Sequence, residues 1–167
     1  MIALLDNTVL SNFAAIGRPD LIRAVLGEYA ATVEEAFAEL QAGIRLGRLP
    51  SDDWSWLTVL SMTDAERVRY QELRQRFNAG ESACLTMASM RRHALLTDDR
   101  DARTRTAVLK IPVSGTLGLL ARLVQDGGLS VSEANDLLAR MITAGYRSPI
   151  RDVGLILAGP NPAGSTR

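Results

Sequence analysis

The sequence predicts an α/β fold: a single three-layer α/β/α domain with a mostly parallel central sheet. Three observations carry this. Ile2-Ala3-Leu4-Leu5, Ala94-Leu95-Leu96-Thr97 and Val108 to Val113 are short apolar runs, read as buried parallel strands. Helical patterns with polar starts lie between such runs, the alternation that covers a parallel sheet on both faces. Two of the runs end directly in acids, Asp6 after the first and Asp98, Asp99 and Asp101 after another. Open α/β sheets gather their ligands at the carboxyl ends of strands.

At 167 residues the chain is long enough for one domain with its own core. Residues 1–157 are read as that domain, and the Gly- and Pro-rich stretch 158–167 as a disordered tail. Nineteen basic and nineteen acidic residues leave no formal net charge, which argues against a strongly basic nucleic-acid binder but allows local basic patches. A lone cysteine forbids an internal disulfide and fits a reducing cytoplasm. One cysteine and one histidine also exclude a structural zinc site of the usual ligand types. No apolar run approaches the roughly 20 residues of a membrane span. No basic region precedes the first apolar residues, so no signal peptide is expected.

In chain order, the first strand ends at Asp6, and Asn7-Thr8 and Ser11-Asn12 supply helix-starting residues. A helix is expected over Ser11 to Leu26, interrupted at Gly17-Arg18-Pro19. Glu28 to Ala31 is a short strand. Thr32 and Glu35 form a capping-box pattern, opening a helix with Val33, Phe37, Leu40 and Ile44 on one stripe. Glu39 flanks that stripe, and Glu35 is read on the exposed face. After the turn at Ser51-Asp52-Asp53, Trp54 to Leu60 is placed as an edge strand. Thr63 and Glu66 repeat the capping pattern before a helix from Asp64 to Phe77. The next helix starts around Gly80, a polar helix covers Arg100 to Ala107, and Val108 to Val113 is the last strand. Gly115 to Gly118 turns into a helix reaching Val124. Ser130 and Glu133 cap a final helix that runs to Thr143.

The stretch from Gly80 to Arg103 concentrates the chemistry. Cys84, Leu85 and Ala88 follow Glu81 at i+3, i+4 and i+7, so Glu81 lies on the face its helix buries. An acid there is expensive unless something compensates it. One helix start and one strand end thus bring up to four acids to one neighbourhood. Carboxylates that repel one another suggest a divalent cation between them. The competing reading makes these acids helix caps paired with Arg100, Arg103 and Arg105. It is about as strong as function for Asp101, substantial for Glu39, and weak for Asp6, which has no local cation.

Leu5-Asp6-Asn7-Thr8, Ala36-Phe37-Ala38-Glu39-Leu40, Gly80-Glu81 and Leu96-Thr97-Asp98-Asp99-Arg100-Asp101 resemble the successive motifs of the PIN domain, the family that includes the VapC-type ribonuclease toxins. Val113 to Leu120 resembles a largely uncharacterised PIN-like branch. The resemblance covers roughly residues 1 to 125 and rests on the order of motifs that are individually common. One departure is Asn7, where the family more often has a small hydroxyl residue; Thr8 is placed to take that role. The resemblance implies a ribonuclease dependent on Mg²⁺ or Mn²⁺, with Asp6, Glu81 and Asp99 as first-choice ligands and Asp101 and Glu39 completing or supporting the site. Thr8, Thr97 and Asp98 would support those ligands. Asp99 is preferred over Asp98 because consecutive residues of an extended chain point to opposite sides, and Thr97-x-Asp99 matches the family spacing. Asp98 would support the site or cap the helix at Arg100.

The same resemblance implies an RNA substrate and the toxin role of a type II toxin–antitoxin pair. An antitoxin would dock on the helices around Thr32–Leu46 and Asp64–Phe77. Self-association is left open. A catalytically silent PIN-like module that binds a protein or RNA partner is the alternative. Arg100 and Arg103 are weaker candidates for substrate contact, as is the set Arg67, Arg69, Arg74 and Arg76. Receiver-type and haloacid-dehalogenase-type phosphotransfer folds need a second acid near Asp6, where this chain has Asn7 and Thr8.

Overall fold

The computed structural model describes residues 1–158, so the tail expected over 158–167 lies outside the described residues apart from Ala158. Five parallel strands form one sheet: β1 (Ala3–Leu5), β2 (Ala30–Val33), β3 (Thr58–Leu60), β4 (Ala94–Leu96) and β5 (Val113–Ser114), in the order β3-β2-β1-β4-β5. The chain builds outward from β1 to β3, then crosses to the other side for β4 and β5. The order therefore reverses between β1 and β4, which pair directly from Ala3 with Ala94 to Leu5 with Leu96. That reversal opens a crevice at the carboxyl ends of the two strands.

Helices cover both faces, as the alternation requires. Along β1 the pleat sends Ala3 and Leu5 into one core and Leu4 into the other. The first core is filled from α1 (Asn7–Ala15), α2 (Asp20–Leu26), α7 (Thr116–Gln125) and α8 (Val131–Thr143), with Phe13, Ile22, Leu120 and Leu138 fully buried. The second is filled from α4 (Asp64–Leu73) and α5 (Ala79–Arg91), with Leu73, Leu85 and Met87. Between them α3 (Glu34–Arg45) gives Leu40 to the first core and Ala36 to the second. The chain continues through α6 (Arg100–Leu109) after β4, and α9 (Gly154–Leu157) closes the described residues.

Several boundaries differ from the expected ones. The apolar run Val108 to Val113 is not a strand: α6 continues to Leu109, and only Val113–Ser114 pair with the sheet. Such a run is ambiguous by itself. Here the helix buries Ala102 and Thr106 while leaving Val108 66% exposed, a helical burial period rather than a sheet one. Thr32 does not cap α3. It lies inside β2, and its hydroxyl donates instead to the Leu5 carbonyl at 2.7 Å. Glu35 is half-buried rather than exposed, and its Oε2 has no partner among the described residues. The first helix begins at Asn7, directly after Asp6. Residues 27–29 form a 3₁₀ turn, so β2 starts at Ala30. Trp54 and Trp56 stack in a turn at 5.9 Å before the edge strand begins. α4 stops at Leu73, short of Phe77.

Candidate active site

Asp6 follows β1 and stands where α1 begins. Its amide still donates to the Leu96 carbonyl at 2.9 Å, so the strand pairing runs up to the acid itself. Its side chain is 2% exposed. Oδ2 accepts two hydroxyls, Thr8 Oγ1 at 3.0 Å and Thr97 Oγ1 at 3.0 Å. Each hydroxyl is oriented by a backbone donor: the Asp98 amide reaches Thr8 Oγ1 at 3.0 Å, and the Asp99 amide reaches Thr97 Oγ1 at 3.2 Å. The only hydrogen on each hydroxyl is thereby directed at Asp6.

Asp98 and Asp99 diverge, as an extended chain requires. Asp98 turns toward α7, where it accepts the Thr116 amide (2.9 Å), the Thr116 hydroxyl (2.5 Å) and Asn12 Nδ2 (3.0 Å). Gly115 makes this possible, because a Cβ there would run into Asp98 Oδ1. Asp98 therefore ties β4 to α1 and α7 and does not cap α6. Asp99 does that, accepting the Ala102 amide at 2.7 Å through Oδ1.

Glu81 is the third residue of α5 and forms a capping box with Asn78, whose Oδ1 accepts the Glu81 amide at 2.8 Å. The Asn78-x-x-Glu81 spacing is itself a start signal in the sequence. Across from it, Glu39 Oε1 on α3 accepts the Gly80 amide at 3.0 Å. A Cβ on Gly80 would stand 2.8 Å from Glu39 Oε1 and 3.3 Å from Ala36 Cα, so the glycine lets α5 approach α3.

Four acids from four elements thus share one neighbourhood. Burial raises Asp6 above the usual carboxylate range against the pull of its two hydroxyls, and the Asp99 charge adds to the rise. Burial, then the charge of Asp6, raises Glu39. Burial, then the charges of Asp99, Asp6 and Glu39, push Glu81 up to about 7. The same field reaches Cys84, fully buried beneath, whose thiol is raised by burial and by Asp6, Glu39, Glu35 and Glu81. Among the described residues none of the four joins an ion pair; the pairs there are Arg18–Asp20, Arg69–Glu72, Arg91–Glu66 and Arg122–Asp126. Arg103 turns away and donates to the Thr97 and Ser114 carbonyls, both at 2.9 Å. Asp101 is exposed on the first turn of α6 and is not among the charges acting on Asp6, Glu39 or Glu81. Arg100 is exposed beside it.

The donor set is all carboxylate oxygen, the chemistry of a hard divalent cation. Among the described residues no three acids converge closely enough to form a finished cage. Asp99 Oδ1 and Glu81 Oε2 are engaged at helix starts. A divalent cation that keeps several waters and takes only one or two carboxylates directly needs no such cage.

A five-stranded parallel sheet with helices on both faces, and acids grouped at its switch point, makes this a three-layer α/β/α domain. The family model DUF3368, a PIN domain, matches residues 2–158. The chain belongs to the PIN-domain family, whose members are in general nucleases and typically use divalent metals. No curated protein matches the sequence. Among the described residues no helix is long and apolar enough to cross a membrane.

Proposed function

We propose that this protein is a metal-dependent endoribonuclease and the toxin of a type II toxin–antitoxin pair. One observation carries the catalytic reading: the charges of Asp6, Glu39, Glu81 and Asp99 act on one another across one neighbourhood, and among the described residues none of the four is in an ion pair, the nearest cation felt being Arg74 at Glu39. Left without a cation, such a group is held together against its own repulsion. Asp6 and Asp99 would hold Mg²⁺ or Mn²⁺, with Glu81 and Glu39 engaging its water shell. When bound, the cation would supply an activated water and neutralise charge on the attacked phosphodiester. Thr8 and Thr97 fix the Asp6 carboxylate through Oδ2, leaving Oδ1 clear of both hydroxyls. Asp98 holds the β4 end against α7, which sets where Asp99 stands. Asp101 has no assigned part in this arrangement.

The expected result is cleavage of single-stranded RNA with Mg²⁺ or Mn²⁺ that stops in chelator. Asp6→Asn should lower the rate by roughly 100-fold or more. Equal rates for wild type and Asp6→Asn, or cleavage in chelator, would overturn the reading. In the toxin role, a basic group from an antitoxin would enter among the acids and neutralise them. Co-purification with the product of an adjacent gene tests that part alone. The acids' failure to close into a cage favours a second reading, a PIN-like module that binds without cleaving. Mn²⁺ affinity and cleavage measured on one preparation separate the two.

A further inference from the structure

An open groove of about 1110 Å³ reaches the acidic site at Asp99. One wall is Asn7 and Thr8 at the start of α1, with Asp99 and Arg100 at the start of α6. The other wall comes from far along the chain: Tyr146, Arg147 and Ser148, in the loop after α8. A second cavity of about 370 Å³ adjoins it, sharing Tyr146 and Arg147 and adding the apolar Val113, Leu117 and Ile156. Three arginines line the groove: Arg100, Arg103 and Arg147. The carboxylate of Asp98 in its floor is already satisfied by Thr116 and Asn12. Arg103 is engaged with two carbonyls. Arg100 and Arg147 are exposed and join no ion pair among the described residues.

The far wall is built, not loose. The Tyr146 amide donates to the Met141 carbonyl at 3.0 Å, and its ring packs on the core formed by α1, α7 and α8. The Ser148 hydroxyl donates to the Ile150 carbonyl at 2.6 Å and accepts the Ile150 amide at 3.3 Å. Downstream, Asn135 on α8 accepts the Val153 amide at 2.8 Å and donates to Asp152 at 2.9 Å. The backbone on both sides of Arg147 is therefore fixed, and its guanidinium is presented at the groove's edge.

We propose that residues 145–149 form a substrate lip, in which Arg147, together with Arg100 in the same groove, binds a phosphate of single-stranded RNA adjacent to the one at the acids. The inference rests on the proposed nuclease function and extends it to a part of the chain outside the motif-bearing segments. Two exposed guanidiniums lining one groove suit a phosphodiester backbone, because the planar fork matches phosphate oxygens. A substrate strand must reach the acids while carrying its own negative charge past them. Cations on the approach offset that repulsion.

The test is binding, measured in chelator so that no cleavage occurs. A fluorescent single-stranded oligoribonucleotide of mixed sequence is titrated with wild type, Arg147→Ala, Arg147→Lys and the Arg100→Ala/Arg147→Ala double variant, at salt between about 50 and 200 mM. Arg147→Ala should weaken binding several-fold and reduce the slope of log K against log salt by about 0.7, and the double variant by about twice that. Arg147→Lys should restore the slope, since a point charge still releases a counterion. The melting temperature and Mn²⁺ affinity of Arg147→Ala should stay at wild-type values. Unchanged RNA affinity and slope in both alanine variants would overturn the lip, as would wild type that binds no RNA at low salt. RNA binding that depends on Arg147, in a protein that neither binds Mn²⁺ nor cleaves, would uphold the lip and end the nuclease reading.

Discussion

The hydroxyl of Thr97 donates to Asp6 Oδ2 at 3.0 Å, linking the ends of two neighbouring strands at the point where the sheet order reverses. The same hydroxyl oxygen accepts the Asp99 amide at 3.2 Å. One threonine therefore fixes the position of one acid and the backbone of another. This coupling explains how Asp6 stays 2% exposed with no cation paired to it among the described residues. It also makes the acids behave as one unit.

Removing one charge should relieve the others. Asp99→Asn keeps an N-cap, since asparagine serves there as well as aspartate. It deletes the strongest of the charges acting on Glu81. Two unit charges about 5 Å apart at an effective dielectric of about 20 repel by roughly 3 kcal/mol before further screening. The melting temperature of Asp99→Asn in chelator should exceed that of wild type, and the rise that Mn²⁺ gives wild type should disappear. A less stable mutant in chelator, together with no Mn²⁺ effect on wild type, would refute the metal site.

Glu81 should make the metal-free protein more stable in mild acid. Its folded-state value is pushed up to about 7 from an ordinary 4.5, so the folded form binds a proton that the unfolded form releases across that window. Unfolding then releases that proton, and stability falls as pH rises from about 4.5 through 7. Melting temperatures in chelator should drop over this range for wild type, and the drop should flatten in Glu81→Gln. Mn²⁺ affinity should weaken below about pH 7 because the proton competes for the same carboxylate.

Asp98 and Asp99 should fail in different ways. Asp98→Ala removes three hydrogen bonds to a carboxylate. By the usual value of charge-assisted bonds, it should lower stability by about 2 kcal/mol or more. Asp99→Asn should leave the fold intact and abolish most cleavage. Denaturant unfolding and RNA cleavage, run on Asp98→Asn, Asp98→Ala and Asp99→Asn, check the ranking. A larger activity loss for Asp98→Asn than for Asp99→Asn would reverse the assignment of the two acids.

Gly80→Ala should act at a distance from its own small size. The added methyl would stand 2.8 Å from Glu39 Oε1 and 3.3 Å from Ala36 Cα, so the Glu39 carboxylate must swing off the Gly80 amide and α5 ease from α3 by a few tenths of an ångström. Overpacking of this kind costs about 1–3 kcal/mol. Because Glu81 rides on the same helix start, cleavage should fall further than Glu39→Gln alone lowers it. Urea unfolding and initial rates on both variants test this.

Much of the acidic face is legible in the amino-acid sequence. Apolar runs that end in Asp6 and in Asp98-Asp99 encode buried strands with acids at their carboxyl ends, because a short all-apolar stretch has few other ways to be buried. Alternation along Thr97-Asp98-Asp99 separates the two neighbouring acids, because a pleat admits only one side per residue. Local spacing also places Glu81 at a helix start on a buried face.

The tertiary structure alone decided the rest. Glu39 joins the acids and Asp101 does not, although both look equally peripheral in the chain. The difference is the close approach of α5 to α3 at Gly80, a packing distance that no local pattern contains. Thr32 reads as a cap but serves as a strand residue bonded to Leu5, because pairing of β2 with β1 outweighs a local helix-start signal. Val108 to Val113 reads as one strand, but its start belongs to the helix and only Val113 at its end joins the sheet, since the burial of Ala102 and Thr106 extends the helix. The far wall at Tyr146 and Arg147 lies more than 40 positions beyond Asp99 in the chain. Periodicity records which face of an element is buried; only the packing of those faces records which distant residues meet.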